Sequence, residues 1–178
     1  MQIEINRLKI NYIEKGPDSK SCVILLHGWG ANIASFNPII DELSKRLKVY
    51  AIDFPGFGLS QKPDESYHVE DYSKIVLEFI KQKELKDVIL IGHSFGGRVI
   101  IKLVGKLGYI PKKIILVDSA GIKPKKSFKR KIKEKIFKII KKSANMLLGK
   151  KRAKDIIDKY KNKFGSEDYR NADDTMKE

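Results

Sequence analysis

Within its 178 residues the chain has one cysteine, three histidines, one tryptophan and no apolar run near the roughly 20 residues that span a bilayer. A single cysteine excludes an internal disulfide, and Cys22, set in an apolar run, reads as core filling rather than a redox centre. The amino terminus lacks the basic cluster and apolar stretch of a signal peptide, so a cytoplasmic protein is the expectation. Acidic residues are also short, 22 against 37 lysines and arginines, for a net charge of +15. The imbalance is local. Residues 1–120 carry 17 basic and 14 acidic side chains, whereas residues 121–178 carry 20 and 8. Only six of the basic residues are arginine, the side chain whose fork reads base edges best. With no zinc-finger spacing, RNA-binding aromatic signature or helix-turn-helix, no nucleic-acid partner is expected, and the lysines read as solvated helix surface.

What is present is enough apolar residue, 42% of the chain, to build a core of one-domain size. Ile3 and Ile5, then Leu8, Ile10 and Tyr12, alternate as two strands joined near Asn6 and Arg7. The run Cys22-Val-Ile-Leu-Leu26 closes on glycines and reads as a buried strand. Phe36, Ile40, Leu43 and Leu47 recur at helical spacing, predicting a helix over 34–47 with Pro38 tolerated in its first turn. A strand over 49–53, a helix over 69–81, a strand over 88–92, a helix over 96–107 and a strand over 114–118 follow. That alternation predicts an α/β three-layer sandwich on a mostly parallel sheet.

Beyond Lys123 the pattern changes. Phe128, Ile132, Ile136, Ile139 and Ile140 form an apolar stripe among lysines, and Ala153 to Phe164 is again amphipathic before a polar end. The expected organisation is a core over 1–121, a lysine-rich helical cap or lid over 122–165 and a polar end over 166–178. The stripe can cover an apolar cavity, or its lysine face can hold residues 125–142 weakly on an anionic membrane.

The sharpest signal is Gly92-His93-Ser94-Phe95-Gly96-Gly97 directly after an apolar strand. This G-x-S-x-G, in strand-turn-helix context, predicts a nucleophilic Ser94 on a strained turn that only small residues at Gly92 and Gly96 permit. The N–H of Phe95, opening the next helix, is placed to face a developing oxyanion. The second signal is His27-Gly28-Trp29-Gly30, a turn able to aim the Trp29 N–H at the same point, with His27 and Gly28 supporting the loop. Trp29 is equally readable as a pocket wall or a surface anchor. Asp53, heading the glycine-rich loop 53–60, reads as a cap of that loop, because one carboxylate without matching neighbours is no metal site. Asp118, at a strand end, is placed to orient a base, although no base is identified nearby. No cofactor and no metal are expected.

Together His27-Gly-Trp-Gly30, Asp53-Phe-Pro-Gly-Phe-Gly58 and Gly92-His-Ser-Phe-Gly-Gly97 resemble the alpha/beta-hydrolase family, in particular its esterase and carbon-carbon bond hydrolase branch. The resemblance implies Ser94 as nucleophile, Trp29 and Phe95 as oxyanion donors, His93 and Gly92 as elbow support, and residues after Gly121 as a cap. It implies further an acid and a histidine that follow in chain order, and here the pattern departs. The three histidines are His27, His68 and His93, none of them after Ser94. The family fold is therefore expected to be truncated before its last two core strands, with an unpaired edge and a complementary C-terminal fragment as partner. The expected reaction is acyl transfer from a small ester or related carbonyl substrate to water, incomplete or inactive in this chain alone. The alternative is a non-catalytic, hydrolase-derived module that associates with an anionic partner or membrane.

Overall fold

The computed structural model describes residues 1–121; the expected cap, the polar end and the membrane-facing stretch 125–142 lie outside the described residues. Its framework is a mixed six-stranded sheet: β1 (Gln2–Ile5), β2 (Leu8–Lys15), β3 (Cys22–Leu26), β4 (Lys48–Ile52), β5 (Val88–His93) and β6 (Lys113–Val117). Three helices accompany it: α1 (Asn37–Leu43), α2 (Val69–Gln82) and α3 (Phe95–Gly105). The strand order is β1-β2-β4-β3-β5-β6. The first three in that order pair antiparallel, while β4, β3, β5 and β6 are parallel.

Local chemistry explains each element. Asn6 and Arg7 take φ of 52° and 64°, the left-handed pair of a tight hairpin turn whose twist suits its strands. All five residues of β3 are buried, as a continuous apolar run sandwiched between two strands and two helical layers requires. Side-chain alternation sends Val23, Leu25, Val49 and Ala51 to one face, where Ile33, Phe36 and Ile40 cover them. The other face receives α2, whose Phe79 ring meets Tyr50 and Tyr12 edge-on at 5.8 and 5.2 Å. There Ile75, Val76 and Phe79 are fully buried, each such side chain contributing about 1.5–3 kcal/mol of burial. The Ser73 hydroxyl of α2 donates to the Val99 carbonyl of α3 at 3.0 Å, tying the two helices together.

The helix predicted over 34–47 is shorter than its apolar stripe. A 3₁₀ turn, Ile33–Phe36, opens it, because the Asn32 side chain accepts the Ala34 N–H at 3.0 Å and starts the chain tightly. It closes at Leu43, where Lys45 and Arg46 bond back three residues to Glu42 and Leu43. The stripe outlasts the helix because Leu43 and Leu47 still pack on the core from these turns. The other elements predicted within residues 1–121 agree with the structure to within three residues at each end.

β6 ends the strand order among the described residues, with Ile114, Ile115 and Val117 exposed by 38, 42 and 47%. No helix among those residues is long and apolar enough to cross a membrane. The functional consequence lies at β3. From it the chain steps to β4 on one side and later to β5 on the other, so the loops after β3 and β5 leave neighbouring strand ends at the same edge of the sheet.

Candidate active site

The loop after β5 is the turn that carries Ser94. Leu26, the last residue of β3, pairs with Gly92, and His93 pairs with Val117 of β6, so three strand ends are level where the turn begins. Ser94 has φ 48° and ψ −109°, a conformation that costs an L-residue about 1–3 kcal/mol and persists only when its surroundings impose it. Here they do. The Ser94 N–H donates to the Val117 carbonyl at 3.0 Å, and the Ala120 N–H donates to the Ser94 carbonyl at 3.0 Å. The last residue of β6 and the turn after it thus hold the serine through both its N–H and its carbonyl.

Close approach sets the glycines around it. A Cβ on Gly92 would lie 2.6 Å from the Gly96 carbonyl carbon and the Gly97 nitrogen. One on Gly96 would overlap the Leu26 carbonyl and sit 2.9 Å from that of His27, and one on Gly97 would overlap Ser119. The first turn of α3 is therefore pressed onto the end of β3. Ser94 itself is half-buried, and Phe95 is the first residue of α3, so its N–H has no acceptor within the helix.

The loop after β3 lies against this turn. A Cβ on Gly28 would stand 3.4 Å from the Ser94 Cβ and 3.1 Å from His93 Nδ1, tight enough that glycine is the natural occupant. The Ala31 N–H closes the turn on the Gly28 carbonyl at 3.2 Å. His27 is fully buried beneath it. Its Nδ1 is 2.7 Å from the Gly28 carbonyl and its Nε2 is 3.0 Å from the Phe54 N–H. A carbonyl only accepts and an amide N–H only donates, so Nδ1 carries the proton and Nε2 accepts. Burial pushes the His27 pKa down, outweighing the Gly28 bond and the charge of Asp53. With both nitrogens engaged and the ring held neutral, His27 positions the loop and is not free to deprotonate Ser94. His93 and His68 are exposed, the latter at the start of α2.

Asp53 caps its loop through more bonds than the sequence suggests. It is 2% exposed; Oδ1 accepts the Ile33 N–H at 2.8 Å, while Oδ2 accepts the Leu59 N–H at 2.9 Å and the Asn11 amide at 2.8 Å. Gly58, at φ 54°, leaves room for that carboxylate where any Cβ would overlap it. Ser60 completes the knot, donating to the Asp53 carbonyl at 2.6 Å and accepting the Asn11 N–H at 2.8 Å. Asp118, exposed with φ 44°, turns the chain toward Ala120 after β6. Among the described residues no three His, Cys, Asp or Glu side chains come together as metal ligands do.

An aromatic cluster unifies the loops. The half-buried Trp29 meets Phe57 at 4.7 Å, Phe95 at 5.2 Å and Tyr72 at 6.3 Å, each nearly perpendicular. Sequence reasoning missed Phe57 and Tyr72 as neighbours of the site, since each reads only as a loop or helix core position, and it missed the clamp by Val117 and Ala120. Backbone hydrogen bonds between distant segments leave no residue-type signal.

A family model described as alpha/beta hydrolase fold matches residues 22–173. The chain is 32% identical over 117 residues to 2-(acetamidomethylene)succinate hydrolase of Mesorhizobium japonicum, covering 66% of this chain and 41% of that protein. It is 40% identical over 97 residues to a putative esterase/lipase 2 of Mycoplasma genitalium, covering 53% and 35%. Among solved structures, a membrane phospholipase A described as a bacterial virulence factor matches with a TM-score of 0.66 and 29% identity, covering 71% of this chain and 41% of that one. The chain thus spans well under half the length of these relatives.

Proposed function

The chain belongs to the alpha/beta hydrolase fold family, and from that premise we propose that it is the nucleophile-bearing part of a serine hydrolase acting on a small ester or related carbonyl compound. The observation that carries the reading is Ser94 held at φ 48° and ψ −109° on a strand-to-helix turn, with Gly28 packed against its Cβ. In this mechanism Ser94 Oγ attacks the carbonyl carbon. The Phe95 N–H and the Trp29 N–H receive the negative charge that develops on the carbonyl oxygen, and collapse of the tetrahedral species expels the alcohol. Water then attacks the acyl-serine, releasing the acid and restoring the hydroxyl.

Both halves need a base, and the histidines of this chain do not supply one. The imidazole comes, in this reading, from the C-terminal part of the fold, which also extends the sheet at β6, while residues 122–165 act as the cap. The site works in the cytoplasm, where a single buried thiol needs no oxidising compartment.

Hydrolysis of p-nitrophenyl acetate tests this. The chain alone shows no turnover that depends on Ser94. Added imidazole, after subtraction of its own reaction, restores a rate to the native chain that Ser94→Ala lacks. Equal rates in the two proteins would overturn the assignment, and robust Ser94-dependent turnover without imidazole would overturn the need for an outside base.

The excess of 20 basic over 8 acidic residues in 121–178 favours a second reading, a non-catalytic module docking on an anionic membrane or partner. Salt-sensitive binding to anionic vesicles that is lost when Lys129, Lys131, Lys133 and Lys135 are neutralised supports it; absence of binding at low salt removes it.

A further inference from the structure

Resting on the serine-hydrolase reading, we propose that Trp29 and Phe57 form the wall against which the acyl group of the substrate lies, and that this wall selects aryl or conjugated acyl groups over saturated ones of equal size. Trp29 follows directly on Gly28, the residue packed against the Ser94 Cβ, and its ring also meets that of Phe95, the residue after the nucleophile. The indole is therefore anchored at both loops that frame the reacting carbonyl.

Two layers of rings are distinguishable by burial. Phe54, Tyr72 and Phe95 are 0, 4 and 3% exposed and form the backing, whereas Trp29 and Phe57 are half-buried and form the outer surface. Leu59, 75% exposed, lies two residues beyond Phe57 on the same loop. The backing fixes the wall. Perpendicular contacts at 79°, 72° and 77° hold the Trp29 plane against Phe95, Phe57 and Tyr72. Phe57 is held by its own backbone, its N–H donating to the Phe54 carbonyl at 2.9 Å and its carbonyl accepting the Ser60 N–H at 3.0 Å. Asp53 secures the same loop at Leu59 while remaining 2% exposed, so it adds no open charge to the wall.

A ring whose plane is already set loses little freedom when a flat ligand settles on it. Pairing between π systems then adds to the gain from apolar area, whereas a saturated acyl group of the same area gains only the area. The expected preference is about two- to tenfold in affinity, the size of one aromatic pairing.

Trp29 is the only tryptophan, so its fluorescence in the full chain reports on this wall alone. Titration with methyl benzoate quenches it saturably, with a dissociation constant about two- to tenfold below that of methyl cyclohexanecarboxylate, which has the same ring size without π electrons. Phe57→Leu keeps an apolar side chain without the π system and narrows the difference between the two esters. If that variant does not fold, the ester pair on the native chain still decides. Equal affinities, or no effect of either ester on Trp29, overturn the proposal.

Because binding is read rather than turnover, Ser94→Ala keeps the same ranking. Imidazole rescue without the ranking sinks the wall alone. The ranking without rescue sinks the hydrolase assignment and leaves an aryl-binding surface.

Discussion

At the carboxyl ends of β3, β4 and β5 sit Ser94, Trp29 and the Asp53 loop, packed among rings and backbone amides. At the amino ends of the same strands sit Cys22, Lys48 and Val88, paired in register and bordered by exposed charge. There Lys48 reaches Asp18 at 2.9 Å and Glu14 at 3.4 Å, and Lys112 reaches Asp87 at 3.5 Å. Lys83, at the end of α2, pairs with Glu14 at 3.0 Å and lies over the rings of Tyr12 and Tyr50. A cleft of about 440 Å³ opens here, lined by Asp18, Lys20, Cys22, Lys48, Tyr50 and Asp87 among others. Its charges already face one another, and burial pushes the Cys22 thiol up to about 11, which keeps it protonated and unreactive at neutral pH. A hollow alone does not make a site. The carboxyl end differs because its backbone is strained, the first amide of its helix has no acceptor within that helix and its polar groups are hydrogen-bonded in place.

That contrast is open to direct attack. Gly96→Ala drives a Cβ into the Leu26 carbonyl and should cost about 4 kcal/mol, enough to abolish cooperative urea unfolding in a marginal chain. Asp53→Ala leaves the N–H groups of Ile33 and Leu59 and the Asn11 amide without their acceptor, a loss of about 3 kcal/mol measurable as a lower urea midpoint.

A third test uses pH. The folded pKa of His27 lies below its unfolded value, so the unfolded chain takes up the proton first. The contribution is neutral well above about pH 6.5 and becomes destabilising as the pH falls below that value, until the folded ring also protonates. Protonated Nε2 no longer accepts the Phe54 N–H. His27→Gln should remove this part of the slope in urea midpoints taken between about pH 7.5 and 5.5.

The amino end should yield least. Glu14 is held below the usual carboxylate range, chiefly by its hydrogen bond from Lys83, against the opposing effect of burial. Its contribution is therefore present above the unfolded carboxylate pKa and fades as the pH drops through the folded one. Solvent screens the pair, so Glu14→Gln should cost about 1 kcal/mol at most, and a larger loss would erase the distinction between the two ends.

How much of this was legible beforehand depends on the range of each cause. The Asn6-Arg7 hairpin, the buried run of β3 and the stripe of α2 are governed by turn chemistry and by side-chain period, both written in neighbouring residues. The Ser94 turn was legible for the same reason, since glycines two before and two after a serine satisfy a steric demand within one loop. The length of α1 was not, because a side-chain bond from Asn32 and the tight turns closed by Lys45 and Arg46 changed its ends while its apolar stripe continued. Asp53 was readable as a cap, but its bonds to Asn11 and Ile33 join residues 42 and 20 positions away.

The sequence by itself determined that this chain alternates strand and helix and that Ser94 sits on a strained turn, because these depend on residue identity and short spacing. Only the tertiary structure decided that the loops after β3 and β5 meet, that His27 spends both ring nitrogens on structure, and that Val117 and Ala120 hold the serine. Those outcomes follow from strand order and from backbone hydrogen bonds between distant segments, where every residue offers the same N–H and C=O and the amino-acid pattern carries no mark of the partner.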